Sequence, residues 1–394
     1  MNWTGALREV RTMRFEEVYG RFQGGRLSCA EAADILGMSE RNFLRYRTRY
    51  EADGAEGLYD RRVGRVSGRR VPVDEATRLI ELYATKYFDF NVKHFHEKLV
   101  REHGYKRSYT WTKRVLQDAG QVKPAKRRGA HRRKRPRKAL PGVMLHQDGS
   151  RHHWVPEIEW DLIVTMDDAT SDIYSAFFVE QEGTMSSFQA FLEVINGHGL
   201  FGSLYADRGS HYWMTKAAGA GVDKRNPTQV KRALDQLGIE LIPASAPEAR
   251  GRSERMFGTL QGRLPPELRA AGITTMGAAN RYLREVFLPA HNARFRVSAS
   301  EAGTAFIPYV GRDLADILCI QEARVVGRDN CVAYKRLSLQ IPPDRHRHHY
   351  VKASVRVHEY PDGPLAVFHG PRCLARYHAD GRLIGETDNA KSAA

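Results

Sequence analysis

The chain has 394 residues, of which 62 are Lys or Arg and 46 Asp or Glu, giving a formal charge of +16. That length suggests two to four domains, and a hydrophobic content of 42% is enough for packed cores and excludes a disordered chain. The charge favours a polyanionic partner. No apolar stretch reaches the roughly 18–20 residues that span a bilayer and no signal peptide is expected, so nucleic acid is favoured over a membrane.

Cys29, Cys319, Cys331 and Cys373 lack Cys-x-x-Cys spacing. They read as buried thiols of a reduced, cytoplasmic, nucleoid-associated protein rather than a zinc site. The clusters His94-Phe95-His96 and His346-Arg347-His348-His349 have no nearby cysteines and are expected at the surface or facing DNA.

Residues 14–51 read as a helix-turn-helix. Ser28-Cys29-Ala30-Glu31 is a capping box, Gly37-Met38-Ser39 makes the turn, and Phe43, Tyr46 and Tyr50 repeat at helical spacing on an inward face. Arg41, Asn42, Arg45 and Arg49 share the opposite face, where a recognition helix meets the major groove. A charged, solvated face on a small bundle is the alternative. This first domain is assigned to residues 1–60, with a Gly/Arg-rich linker at 61–72.

A second three-helix unit is expected over 73–120. Asp74 is expected to cap its first helix, Asn91–Glu102 to form the second, and Ser108 to cap the third. On the third helix Trp111, Val115 and Ala119 are expected inside. Thr110, Lys113, Arg114 and Gln117 are then a second candidate surface for DNA, in helix-turn-helix or winged-helix form.

The segment 121–140 is a basic linker. Ten of the sixteen positions 123–138 are Lys or Arg, including Lys126, Arg127, Arg128, Arg132, Arg133 and Arg135. Self-repulsion and missing periodicity argue for an extended arm along phosphates, with a merely solvated tail as the alternative.

From Pro141 the pattern turns to strands: Val143–Asp148, Trp160–Asp167 and Ile173–Val179, the last two joined by a hairpin-length turn. A helix over 185–198, a strand over 203–207, a helix over 228–237 and a strand over Glu240–Pro243 follow. After 251 a helix carries Phe257, Leu260 and Leu264 at i, i+3 and i+7 with Glu254 on its first turns, and Thr275–Arg294 reads as helical. Pro247 suits a helix start. Short strands between Val325 and Tyr377 suggest a small barrel-like β domain, and the chain after about Gly385 a tail.

Asp148 and Asp207 each end an expected strand, and Glu254 rides on a helix. Carboxylate oxygens hold hard cations, and a metal pair suits phosphoryl transfer on DNA. Taken singly, Asp207 also reads as a capped turn and Glu254 as a surface partner of Arg250. Asp167 and Asp168 compete with Asp148 for the first position. Strand polarity argues against them: a strand antiparallel to the first carries its tip to the far edge, roughly 20 Å away.

The motifs Asp148-Gly149-Ser150, Asp207-Arg208-Gly209-Ser210-His211 and Gly251-Arg252-Ser253-Glu254-Arg255 resemble the DDE core of insertion-sequence transposases related to retroviral integrases. With Phe90-Asn91-Val92-Lys93-His94-Phe95-His96-Glu97-Lys98-Leu99, the wording is similar to the ISNCY-type group, over roughly residues 12–380. The gap from Asp207 to Glu254, 254 − 207 = 47 positions, is longer than usual for that family, with the surplus assigned to 212–227.

The resemblance implies a multidomain chain. Its parts are all-α helix-turn-helix units, an α/β RNase H-like core with a mixed five-stranded sheet (141–305), a small all-β domain (306–384) and a tail (385–394). It also implies a DNA transposase that cuts transposon ends and transfers strands to target DNA. Two Mg²⁺ ions (Mn²⁺ as an alternative) would sit among Asp148, Asp207 and Glu254, and double-stranded DNA would be bound by a homodimer or higher homo-oligomer. Arg250 and Arg252, beside Glu254, are expected to contact DNA. A catalytically silent regulator and an RNase H-like nuclease without strand transfer are the other readings.

Overall fold

A computed structural model describes residues 3–59, 71–124, 135–214, 226–244, 251–343 and 347–385, with side chains from residue 7 onward. The chain divides into two compact units, Met1–Thr77 and Arg78–Ala394.

The first unit contains α1 (Trp3–Gln23), α2 (Cys29–Ile35) and α3 (Glu40–Asp53). Ser28 and Glu31 form the expected reciprocal cap, and the Ser39 hydroxyl accepts from the Asn42 amide. Each such cap contributes about 1 kcal/mol by satisfying amides the helix leaves open. Gly37 takes φ +64° between them, a conformation a side chain disfavours. Phe43 is fully buried against Phe15 and Phe22. Tyr46 and Tyr50 pack at the margin of that core.

The second unit begins within α4 (Val73–Lys86), followed by α5 (Val92–Glu102) and α6 (Tyr109–Asp118). Helix α4 starts at Val73, so Asp74 lies in its first turn rather than preceding it as a cap. Asn91 and Ser108 cap α5 and α6 as expected. The buried stripe of α6 is centred on Thr112 and Leu116, with Trp111 and Val115 at its flank and Ala119 exposed. That is one residue away from the expected stripe, or about 100° around the helix. Thr112 goes inside because its hydroxyl meets His96 Nδ1 at 3.3 Å and the Ser108 carbonyl.

The sheet that follows holds β1 (Met144–Val155), β2 (Ile158–Asp167), β3 (Ile173–Val179), β4 (Ser203–Ala206) and β5 (Glu240–Pro243), in the order β3-β2-β1-β4-β5. The first three are antiparallel neighbours; β4 is parallel to β1 and β5 parallel to β4. Parallel neighbours need crossovers, supplied by α7 (Thr184–His198) and α8 (Gln229–Gln236). This is the mixed five-stranded arrangement of an RNase H-like core. Strand β1 runs seven residues beyond Asp148, because pairing with β2 continues to a bulge near its end.

Both faces of the sheet are covered. Leu145 and Leu204 join Phe188, Phe191, Val194 and Leu234 from α7 and α8 in one core. Leu162, Val164 and Met166 join Met256, Phe257 and Leu260 of α9 (Gly251–Gln261) in another. The latter core extends through α10 (Leu264–Ala270), α11 (Met276–Tyr282) and the residues joining α11 to α12 (Leu288–Phe295). The expected helix over 275–294 is interrupted by a π-helical turn at Leu283–Phe287, just before Pro289.

The C-terminal strands are β6 (Ile320–Val325), β7 (Cys331–Tyr334), β8 (Leu337–Gln340), β9 (Ser354–Glu359), β10 (Leu365–His369) and β11 (Arg372–Tyr377). Four form an antiparallel sheet, β11-β10-β9-β6, and β7-β8 a separate hairpin. One apolar cluster, including Val332, Leu339, Val357, Val367 and Tyr377, joins hairpin and sheet. The domain is thus all-β, as expected, with two packed pieces in place of one barrel-like sheet.

Candidate active site

The register of β1 and β4 pairs Met144 with Ser203, Leu145 with Leu204 and His146 with Tyr205. Asp148 lies two residues further along β1 and Asp207 directly follows β4, so continuing the register by two residues brings the two acids to the same level. Leu145 and Gly149 face α7, so alternation turns His146, Asp148 and Ser150 to the face covered by α9. Asp148 is buried and Asp207 half-buried. The Gly209 amide donates to Asp207 Oδ1 at 2.8 Å, a local turn that orients the carboxylate.

Glu254 is exposed on the first turn of α9. Arg252 donates to Asp168 and, at 2.7 Å, to the Arg135 carbonyl, while Gln261 Nε2 donates to Ser150 Oγ at 3.0 Å. Asp168 also meets His146 Nε2 at 2.7 Å. The helix is therefore tied at one end to the level of His146 and at the other to Ser150. At about 1.5 Å per helical residue and 3.3 Å per strand residue, the tethers bracket Asp148. Among the described residues no three carboxylates, imidazoles or thiols stand close enough to hold a metal ion, so Glu254 is outside any preformed cluster. The donor set still suits a hard cation: Asp148, Asp207 and Glu254 offer only carboxylate oxygen.

Tyr212 lies fully buried beside these acids and donates to Gln147 Oε1 at 2.6 Å. Burial, then the negative charges of Glu182, Asp207 and Asp148, push its phenol well above the usual range. Glu182 and His211 lie on the α7 side of β1, opposite the face that carries Asp148, and neither stands out as a site residue in the sequence. The Glu182 carboxylate lies against Gly149, and His211 Nε2 stands 3.5 Å from Glu182 Oε1. A glycine directly after an acid is the available signal, because close approach is one reason for glycine there.

The competing aspartates have other partners. Asp167 accepts from the Gly142 amide at 2.9 Å and the Thr170 amide at 2.7 Å. It pairs in register with Leu145, three rungs from Asp148, or about 10 Å in place of the expected 20 Å. The difference arises because Asp148 is within its strand and not at its tip. Burial alone would raise the Asp168 carboxyl; bonds from His146, the Lys138 amide and Arg252 outweigh it and hold the group well below the usual range.

Of the residues assigned to DNA, Arg41 and Arg45 are exposed on α3, and Asn42 and Arg49 are half-buried there. Thr110 and Arg114 are exposed on α6, with Lys113 and Gln117 partly so. Arg135 and Arg252 are engaged by Asp168. Lys126, Arg127, Arg128, Arg132, Arg133 and Arg250 lie outside the described residues, as do Pro247, His346 and most of 212–227. The histidine expectation fails in part. His94 is buried on Glu267 at 2.8 Å and His96 is bonded to Thr112, because α5 is covered on both sides; His348 and His349 are exposed. No described helix is long and apolar enough to cross a membrane.

A family model described as a winged helix-turn helix matches residues 23–78. A protein of Sinorhizobium fredii (strain NBRC 101917 / NGR234) named as a transposase, y4bF, is 30% identical over 361 residues, covering 91% of this chain and 78% of that one. The transposase for insertion sequence IS1202 of Streptococcus pneumoniae is 27% identical over 293 residues, 66% of this chain and 63% of its own. Among solved structures, a simian T-cell lymphotropic virus intasome chain aligns at TM-score 0.35 and 13% identity, over 78% of this chain and 99% of that one. The HTLV-2 integrase catalytic core with magnesium aligns at 0.30 and 16% identity, over 37% and 87%. Scores this low do not fix a fold, whereas the y4bF match spans both chains: this chain belongs to the insertion-sequence transposases.

Proposed function

We propose that the chain binds the ends of a mobile DNA element, cuts them to free 3′ hydroxyls and joins those to target DNA. The observation that supports the reading most is that Asp148 lies in β1 and Asp207 directly follows the parallel strand β4, beside the face crossed by the helix of Glu254. Asp148, Asp207 and Glu254 would hold divalent cations, Mg²⁺ or Mn²⁺, which supply charge neutralisation at the attacking and leaving oxygens. In the first step water attacks the phosphorus at the element end and the bond to the 3′ oxygen breaks, leaving a 3′ hydroxyl and a 5′ phosphate. In the second, that hydroxyl attacks a target phosphodiester in line and the target's own 3′ oxygen leaves.

The chain's other residues position these acids. Gly209 orients Asp207, and Arg252 with Gln261 holds the Glu254 helix along β1. The exposed faces of α3 and α6 read the element ends, and the basic arm at 121–140 follows phosphates. This divides the labour among residues 1–60, 73–120, 141–305 and 306–384. Two ends joined together require at least a dimer on DNA, in a nucleoid-associated protein. Labelled element ends, target plasmid and Mg²⁺ test the reading, with joined product expected. Cleavage without joining would mark a nuclease, and binding without cleavage a regulator.

A further inference from the structure

Helices α5 and α6 share an apolar core of Leu79, Tyr83, Tyr87, Phe95, Leu99 and Leu116, and the sheet and α9–α11 share another. Among the described residues the two clusters have no member in common. A network of polar bonds joins them instead. Asn91 Nδ2 donates to the Gly262 carbonyl at 2.9 Å, and Arg263 donates to both oxygens of Glu97 at 2.8 and 3.1 Å. Arg294 meets Glu97 at 2.6 Å. Glu267 accepts from Lys98 at 2.8 Å and Tyr282 at 2.6 Å, and meets His94 at 2.8 Å. Arg269 grips Asp89 through two bonds of 2.6 Å.

Gly262 and Arg263 directly follow α9, so the network grips the end of the helix that carries Glu254. Close apolar packing does not fix this seam: a cleft of about 580 Å³ opens along it, lined by residues including His94, Lys98, Arg263, Glu267 and Arg294. Paired and largely buried charges lose their partners if the seam shifts, so the network holds it in one register. Glu97 and Glu267 are each 14% exposed and Arg263 11%. Helix α6 is locked to α5 by Leu116 and by the Thr112–His96 bond, and its polar face is directed outward.

We propose that Glu97 and Glu267 are positioning residues of a molecular ruler: they fix the distance between the DNA sequence read by α6 and the phosphodiester cut beside Glu254. The proposal rests on the transposase reading above and on α6 facing DNA. A residue needed only for folding would change how much DNA is cut, whereas a ruler changes where.

The test uses the full chain, labelled element ends and Mg²⁺, with cut positions mapped to the nucleotide. Wild type should cut at one position. When one base pair is inserted between the α6 footprint and the cut, the cut should keep its distance from the footprint. Glu97→Gln and Glu267→Gln should spread cleavage over neighbouring phosphodiesters. A misplacement of about 1 Å should lower the rate at the original position roughly 100-fold. Wild-type cuts that stay at the element terminus despite the inserted pair would overturn the ruler, with no variant involved. So would folded variants that cut only at the original position. Wild type that cuts no end under any condition would overturn the transposase reading itself, and the ruler with it.

Discussion

The Glu182 carboxylate occupies the space in which a β-carbon on residue 149 would sit, so Gly149 and Glu182 are fitted to each other beside Asp148. Gly149→Ala should force Glu182 away, at the low end of overpacking costs, about 1 kcal/mol, because the displaced group is the tip of a flexible side chain. Adding Glu182→Ala should recover most of that loss, because the three atoms nearest the added carbon all belong to Glu182. Thermal melts of the two single variants and the double variant test this. Strictly additive losses would mean that the two residues do not share the space.

Asp168 is the anchor of the Glu254 helix. Asp168→Ala removes the carboxylate that pairs with Arg252 and Arg135 and leaves His146 without its 2.7 Å partner. Breaking a buried ion pair on one side costs roughly 3–5 kcal/mol. Urea melts should show that loss, while cleavage stays measurable at temperatures where the variant remains folded. Wild-type stability together with abolished turnover would instead make Asp168 a reacting group.

The sheet can be read from the sequence because its strands carry apolar stretches, Leu162-Ile163-Val164 in β2 and Ala176-Phe177-Phe178-Val179 in β3, set between turns and helices. The two aspartates are legible for the same reason, each following such a run. The extension of β1 is not, since Ser150-Arg151-His152-His153 has no apolar alternation and is held by backbone bonds to β2. The docking of α5 is hidden too: Glu97 and Arg263 are 166 positions apart, and charges that pair at that range look like solvated ones. The burial of His94 is hidden on the same account. Thr112 takes an inward position through hydrogen bonding, which hydropathy does not register.

Acid should weaken the C-terminal domain through His358. Burial, with Arg232, Arg356 and Arg376 around it, pushes this imidazole down to about 4, and its ring stacks on Phe368 at 4.1 Å. The unfolded chain takes the proton first. Stability from the neutral ring is therefore complete above about pH 6.5 and is lost as pH falls toward about 4. His358→Phe should reduce that loss, read from urea melts at about pH 7 and about pH 4.5. His291, held at about 4 in the core by burial, should keep the remainder. An unchanged difference between the two pH values would show that His358 titrates normally.

The basic arm should carry affinity without sequence preference. Arg127, Arg128, Arg132 and Arg133 changed to Gln should weaken binding to every duplex and lower the salt slope by about 0.9 for each phosphate that is no longer neutralised. Arg135→Gln should act differently and cost stability, because Arg135 is bonded to Asp168. An unchanged slope in the fourfold variant would make the arm a connector only.

The central claim is that Asp148, Asp207 and Glu254 form one reacting centre, tested most directly by Mg²⁺-dependent cleavage of labelled ends. Asp148→Asn, Asp207→Asn and Glu254→Gln are assayed beside wild type, with end binding measured in the same samples. Removing negative charge from a site that receives phosphate does not weaken its attraction to DNA, so all three should bind ends at least as well as wild type while cleavage falls to background. Cleavage retained by any one of them, or end binding lost by a variant that is folded, would contradict the assignment.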